Sequence, residues 1–211
     1  MTTRNNIAER SGKKAARQSA AHAARVNGPA DRSASSTPAP AVRSASPTLG
    51  GPSRGLFFDY QFKDSSLLAL ALTHSSLAYE NNPEGVNDPG SDNERLEFLG
   101  DAVLGLVVAE ALYRRLPALR EGDLTRLRAS LVSSRHLAQV AMRIQLGPML
   151  LLGRGEAHSG GHRKPALLAD AMEAVIAALY LDGGMTPARD FIHRHIIGPA
   201  EARLIDALRS S

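Results

Sequence analysis

The sequence contains no cysteine, and this absence excludes two classes of site. Without thiols the chain cannot form a disulfide bond or offer a thiolate ligand to a metal. The absence fits a reducing compartment, and we expect a cytoplasmic protein. The sequence also lacks an apolar run long enough to span a membrane and the apolar core of a secretory signal peptide. We therefore expect no membrane partner.

Large apolar side chains are nearly missing from residues 1–55, where Ala, Ser, Pro, Thr and Arg dominate. Such a segment cannot bury enough surface to offset the entropy of ordering it, so we expect a disordered tail. The tail carries nine basic and two acidic residues, a charge of +7, whereas residues 56–211 carry −3. A basic arm suits sequence-independent contact with nucleic-acid phosphates, and a solubilising leader is the alternative. The lack of an apolar face argues against an organellar transit peptide.

Residues 56–208 have the composition of one folded domain. Apolar residues recur there at helical spacing and no alternating strand pattern occurs, so the predicted class is all-α. Asp64 or Ser65, Ser134 and Thr186 are the expected caps at three helix starts. Loops are predicted at 77–92 and 153–165. The predicted helices cover about 67–74, 94–116, 121–131, 135–144, 166–182, a segment from 187, and 199–208.

The strongest chemical signal is the stretch NERLEFLGD at residues 93–101. Because each helical residue turns by about 100°, Glu94, Glu97 and Asp101 fall within roughly 60° of one another on one face. Most other positions up to Tyr113 are apolar, as in a helix buried in a core. Acidic stripes are usually solvated faces, but carboxylates in apolar surroundings are costly unless neutralised. A hard divalent cation is therefore the better explanation.

A second helix, predicted over 166–182, is also apolar nearly all round. Its only acids before the end are Asp170 and Glu173, which are three positions apart and share a face. Together with Glu97 and Asp101 they predict one metal centre. All four ligands are oxygens, which favours Mg²⁺, with Mn²⁺ as a substitute, over zinc. Whether one or two ions bind stays open, and no small-molecule cofactor is expected.

Several segments resemble the ribonuclease III family, the nucleases that cleave double-stranded RNA. The matching segments occur in the family's order and are 72–75, 94–102, 121–129 and 168–174. The resemblance implies an Mg²⁺-dependent endoribonuclease domain that leaves 5′-phosphate and 3′-hydroxyl ends, in RNA processing such as that of ribosomal RNA precursors. It also implies a homodimer in which each of two centres cuts one strand of double-stranded RNA.

The resemblance also implies roles for single residues. Asp101 and Glu173 would be catalytic within the four metal ligands. Phe98 resembles the aromatic residue that inserts into the partner subunit, and Glu94 and Glu121 resemble accessory acids near that interface. Three basic side chains are expected to contact RNA phosphates, namely Arg126, Arg163 and Lys164.

Two features differ from the common bacterial members of that family. The predicted loop at 77–92 is longer than usual, and no double-stranded RNA-binding domain follows before Ser211. RNA affinity would then depend on the dimer, the basic tail or another protein.

Two alternatives to the nuclease function stay open. One is a non-cleaving RNA-binding or ribosome-associated protein of the same fold, which loss of an acid would mark. The other is a metal-dependent phosphohydrolase of small nucleotides.

Overall fold

The computed structural model describes residues 56–82 and 88–200. The predicted basic tail, part of the long loop and nearly all of the predicted last helix lie outside these ranges. Within them the all-α class is confirmed, because the two strands form only a short antiparallel hairpin. No helix in the described ranges combines the length and the apolarity needed to cross a membrane.

The elements are β1 (Leu56–Phe57), β2 (Tyr60–Gln61), α1 (Ser65–Leu72), α2 (Ser75–Asn81), α3 (Glu94–Arg115), α4 (Glu121–Leu131), α5 (Ser134–Arg143), α6 (Arg154–His158), α7 (Pro165–Gly183) and α8 (Met185–Ile192).

Helix α7 forms the centre of the domain. Ten of its side chains, between Leu168 and Leu179, are buried. It packs against α1, α3, α5 and α8. The helix starts with Pro165, whose fixed φ suits the first helical position, and it is followed by Gly184 at a φ of +78°, a conformation that favours glycine. The predicted core helix is therefore present, one residue longer at each end.

Helix α3 is buried on one side only, although the sequence predicts burial nearly all round. Phe98 is 81% exposed, Leu106 58% and Tyr113 74%. With Ala102 they lie within roughly 80° of one another at 100° per residue. We call these four residues the apolar stripe. The correction has a physical reason, because apolar periodicity alone does not distinguish a core from a face that another chain covers.

Both predicted loops contain a helix. Residues 75–81 form α2, which His74 caps by accepting the backbone N–H of Ser76 on Nδ1 at 3.2 Å. Residues 154–158 form α6, after Gly153. A 3₁₀ turn, Gly161–Arg163, then leads into α7. A histidine cap and a five-residue helix leave little trace in apolar periodicity, which explains why both were missed.

The helix starts agree with the sequence at one place and differ at two. Asp64 caps α1 as predicted, and its carboxylate accepts the backbone N–H of Ser66 at 2.9 Å. Ser133, rather than Ser134, is the cap of α5. Helix α8 begins at Met185 and not after Thr186. Ser133 and Ser134 offer the same hydroxyl, so local sequence does not decide between them, whereas α8 follows Gly184 and has no side-chain cap.

One carboxylate holds the hairpin to the end of the central helix. Asp182 accepts the hydroxyl of Tyr60 at 2.7 Å and the backbone N–H groups of Lys63 at 2.9 Å and Asp64 at 2.8 Å. Burial and this hydrogen bond raise the pKa of Tyr60 to about 12. Burial by itself would raise the pKa of Asp182, but the N–H donors and the hydroxyl lower it overall.

We expect Asp182→Ala to lower the free energy of unfolding by about 1 kcal/mol, because it removes the acceptor of three hydrogen bonds, two of them with exposed donors that water can reach. The folded pKa of Asp182 is lowered, so its contribution is present above the unfolded pKa and is lost as the pH falls through the folded value. Urea unfolding at neutral and acidic pH measures both effects. Tyr60→Phe, which removes one donor of three, should show a smaller loss. Parental stability for Asp182→Ala would contradict this role.

Candidate active site

The two helices that carry the predicted metal ligands cross at Gly100. A Cβ atom added to Gly100 would overlap the backbone carbonyl of Glu173. No side chain therefore fits between the two backbones, and α3 and α7 make the most extensive contact among the described elements. Gly100 thereby sets the distance at which the acids of one helix face those of the other.

Four carboxylates face each other around this crossing, and we call them the acid cluster. Glu97 and Asp101 lie on α3 on either side of Gly100, whereas Asp170 and Glu173 lie on α7. Asp101 is exposed and the other three are half-buried. The negative charges of Asp101, Glu97 and Asp170 all act on Glu173. Three of the four residues that the sequence predicts as ligands are therefore close enough to act electrostatically on the fourth, Glu173, and the role of all four as ligands stays a prediction.

The acid cluster contains more negative charge than its surroundings offset. Burial raises the pKa of Glu173 to about 8, and repulsion from Asp101, Glu97 and Asp170 adds to the rise. Burial also raises the pKa of Asp170, and the nearby His74 opposes that rise. In the described residues no three His, Cys, Asp or Glu side chains are gathered closely enough to hold an ion as they stand. Mutual repulsion of the carboxylates explains the open arrangement, and a cation would remove it.

Asn93 fixes the start of α3 against the end of α1. Its backbone N–H donates to the carbonyl of Thr73 at 2.9 Å, and its side-chain Nδ2 donates to the carbonyl of Ala71 at 3.3 Å. Asp92 accepts the backbone N–H of Glu94 at 3.1 Å. Asp92 and Asn93 are both buried, so these bonds are protected from water. They orient the first turn of α3, from which the acids project.

His74 lies beside the acid cluster, which the sequence did not indicate. It has a structural role, because Nδ1 accepts the N–H of Ser76 and contacts its hydroxyl at 2.9 Å. His74 is also close enough to Asp170 to lower the pKa of that carboxyl. No local pattern reveals this proximity, because residues 74 and 170 are far apart in the chain.

The predicted accessory residues lie outside the acid cluster. Glu94 and Glu121 are the first residues of α3 and α4, and both are exposed. Glu121 accepts the hydroxyl of Thr125 at 2.6 Å. Phe98 projects from α3 within the apolar stripe. Their roles at a subunit interface stay predictions.

The three side chains predicted to contact RNA differ in their exposure and in whether they already form an ion pair. Arg163 is exposed at the end of its 3₁₀ turn. Arg126 is exposed and forms an ion pair with Asp123. Lys164 is half-buried and pairs with Glu156 at 2.6 Å, a contact that joins α6 to the start of α7. Lys164 therefore has a structural role that the sequence did not indicate.

Comparison with known proteins places this arrangement in a family context. A family model described as Ribonuclease-III-like matches residues 64–200. Ribonuclease 3 from Solibacter usitatus is 57% identical over 143 residues, which are 67% of this chain and 53% of that protein. Ribonuclease 3 from Moorella thermoacetica is 56% identical over 125 residues, 59% of this chain and 51% of that protein. The chain spans about half the length of these curated relatives.

A solved structure is similar to the same part of the chain. It is the nuclease domain of Ribonuclease III from Campylobacter jejuni, with a TM-score of 0.58 and 42% sequence identity. The similarity covers 66% of this chain and 90% of that domain. The structure is described as showing flexibility in the region involved in dimer formation of that domain.

Proposed function

This chain belongs to the Ribonuclease-III-like family, and from that premise we propose that it is an endoribonuclease acting on double-stranded RNA. The supporting observation is the acid cluster, in which two helices that cross at Gly100 direct four carboxylates toward one another. The proposed products carry 5′-phosphate and 3′-hydroxyl ends. The proposed role is RNA processing in the cytoplasm, such as the maturation of ribosomal RNA precursors.

We propose Mg²⁺ as the cofactor, with Mn²⁺ as a substitute, because the donor set is made only of carboxylate oxygens. Glu97, Asp101, Asp170 and Glu173 would hold it. When bound, the cation supplies an activated water and stabilises the leaving 3′ oxygen. The chain's own contribution is to fix the carboxylates, through the close crossing at Gly100.

The charge of the domain supports cooperative binding of metal and RNA. Residues 56–211 carry a formal charge of −3, which repels the phosphate backbone. Holding negative charge in the acid cluster is costly, because burial raises the pKa of both Asp170 and Glu173 there. Neutralising the acid cluster would therefore favour approach of RNA, and the bound phosphates would in turn favour the cation. Arg163 and Arg126 are proposed phosphate contacts, and Lys164 is a weaker candidate because it pairs with Glu156.

We further propose a homodimer that forms through the apolar stripe. The stripe follows α3 over most of its length, from Phe98 to Tyr113, and exposes three large side chains. Large exposed apolar patches are typical of protein interfaces. The nuclease domain of the Campylobacter jejuni relative is described as having a region involved in dimer formation. Two protomers joined in this way would provide two acid clusters, one for each RNA strand.

Phe98→Ala should shift the protein from dimer toward monomer at micromolar concentration. Truncating an aromatic side chain in a buried position typically costs about 3–5 kcal/mol, and in the dimer Phe98 would be buried. Sedimentation velocity across a concentration series measures the effect. Tyr79→Ala is the matched control, because Tyr79 is also exposed, at 62%, but lies on α2 away from the apolar stripe. A Phe98→Ala protein that sediments as the parental dimer would contradict this interface.

A gel assay tests the proposed activity. The protein is incubated with double-stranded RNA, with single-stranded RNA of the same sequence and with nucleoside triphosphates, each with and without Mg²⁺. We expect Mg²⁺-dependent cutting of the duplex alone. Duplex binding without cutting would instead indicate a non-cleaving RNA-binding protein. Phosphate release from the nucleotides with an intact duplex would indicate a small-nucleotide phosphohydrolase.

A further inference from the structure

A cleft of about 670 Å³ opens between α2 and the start of α6. Its wall on α2 includes Ser75 and Tyr79, which are four positions apart and share one face of that helix. The opposite wall includes Gly153 and Arg154. The volume lies within the range of about 300–1,000 Å³ that is typical for a single small ligand, so an RNA duplex does not fit inside.

The two walls are joined by hydrogen bonds and are therefore fixed relative to each other. The backbone N–H of Gly153 donates to Ser76 Oγ at 3.0 Å, and that of Arg154 donates to Glu80 Oε2 at 2.7 Å. Glu80 also forms an ion pair with Nε of Arg154. The hydrogen bonds and charge of Arg154 hold the pKa of Glu80 below its usual value. The cleft is thus a formed feature of the fold.

The cleft offers two groups that suit a nucleotide. Tyr79 is 62% exposed, so its ring is accessible for stacking on a base. The side chain of Arg154 is 92% exposed although Nε pairs with Glu80. Its guanidinium is therefore accessible to solvent while Nε is tied to Glu80. A guanidinium fixed in this way suits a phosphate group.

The cleft adjoins the acid cluster on both acid-bearing helices. His74 lines the cleft and is close enough to Asp170 of α7 to act on its charge. The preceding residue, Thr73, accepts the backbone N–H of Asn93, immediately before α3. An RNA strand that lies with a phosphate at the acid cluster would therefore reach the cleft with a neighbouring nucleotide.

We propose that this cleft binds one unpaired nucleotide of the RNA strand next to the bond that is cut. In this arrangement Tyr79 stacks on the base and Arg154 binds the phosphate. The inference rests on the proposed endoribonuclease function and adds a substrate preference to it. Duplexes with a bulged or overhanging nucleotide at a fixed distance from the cut bond bind more tightly than fully paired ones.

The test uses the full chain and an RNA duplex whose cut site has been mapped. A single unpaired 2-aminopurine nucleotide is placed at successive positions on either side of that site. Binding is measured by fluorescence anisotropy with Ca²⁺ in place of Mg²⁺, and stacking is measured by quenching of 2-aminopurine. At one position we expect binding about tenfold tighter than to the paired duplex, as stacking of one base gives, together with quenching.

Four variants separate the contributions. Tyr79→Ala should abolish the gain and the quenching, and Tyr79→Phe should keep both, because the ring rather than the hydroxyl is used. Arg154→Ala should weaken binding of the duplex with the unpaired nucleotide more than Arg135→Ala does. Arg135 is an exposed arginine on α5, outside the cleft, and is the matched charge control.

Three results would overturn the proposal. The first is a parental gain in the Tyr79→Ala protein, and the second is equal losses for Arg154→Ala and Arg135→Ala. The third is that no unpaired position tightens binding of the duplex, while micromolar nucleoside monophosphate still displaces the quenched base. That result would assign the cleft to free nucleotides. The proposed endoribonuclease function is tested separately, by cleavage in Mg²⁺. If that function were wrong, the parent protein would leave the duplex uncut, and the binding measurements would not change this result.

Discussion

Replacing Glu173 by glutamine should abolish RNA cleavage while leaving the fold and RNA binding in place. Glutamine has nearly the same volume as glutamate, so the buried surface of α7 is preserved. The substitution removes the anionic ligand that lies deepest in the acid cluster, where burial raises the pKa of Glu173 to about 8. Losing one electrostatic contributor to catalysis typically costs about 10²–10³ in rate, and losing a metal ligand should cost at least as much.

Single-turnover cleavage of a labelled duplex in Mg²⁺ measures this loss. Circular dichroism and anisotropy with Ca²⁺ check the fold and the binding. Because an amide does not repel the neighbouring carboxylates, the variant should be at least as stable as the parent protein. Glu110→Gln is the matched control, since Glu110 is also on α3 but pairs with Arg114 and Arg189. Cutting at the parental rate by the Glu173→Gln protein would disprove the site assignment.

The acids could be predicted from sequence because their signal is local and chemically unusual. Glu97 and Asp101 share one face of one helix, and Asp170 and Glu173 share one face of another, each in apolar surroundings. Buried carboxylates need a positive partner, and this requirement follows from the residue types alone. We inferred that the two helices meet because buried carboxylates on both of them need a positive partner. The structure places the two helices in direct contact.

Other features depend on contacts between distant segments and left no local signal. The apolar stripe has the same periodicity as a core face, so periodicity alone did not indicate that Phe98 is exposed, and only the family resemblance implied that it projects toward a partner subunit. The ion pair of Lys164 with Glu156 and the proximity of His74 to Asp170 likewise depend on how the folded chain brings separate segments together. The sequence therefore indicated which acids the two helices present, but not the contacts that surround them.

Gly100→Ala should both destabilise the protein and abolish cleavage. In an ordinary helix, alanine is more favourable than glycine by about 1 kcal/mol, so an open position would gain stability. At Gly100 the added methyl group would overlap the backbone carbonyl of Glu173. A backbone carbonyl cannot turn aside as a side chain can, so the helices must separate. Overpacking typically costs about 1–3 kcal/mol, and we expect the upper end of that range or more.

Separation of the helices would also move the acids of α3 away from those of α7, so cleavage should fall even where the variant remains folded. Gly105→Ala, on the same helix but beside the apolar stripe, is the matched control for stability, and Gly122→Ala, on α4 and off the stripe, is the control for stability and cleavage, because a Cβ atom at either position meets nothing within 4 Å. Both should retain or gain stability, and Gly122→Ala should keep cleaving. Thermal unfolding followed by circular dichroism and single-turnover cleavage are measured on all three proteins. If Gly100→Ala melted like the two controls and cleaved like Gly122→Ala, the close crossing would not be what positions the acid cluster.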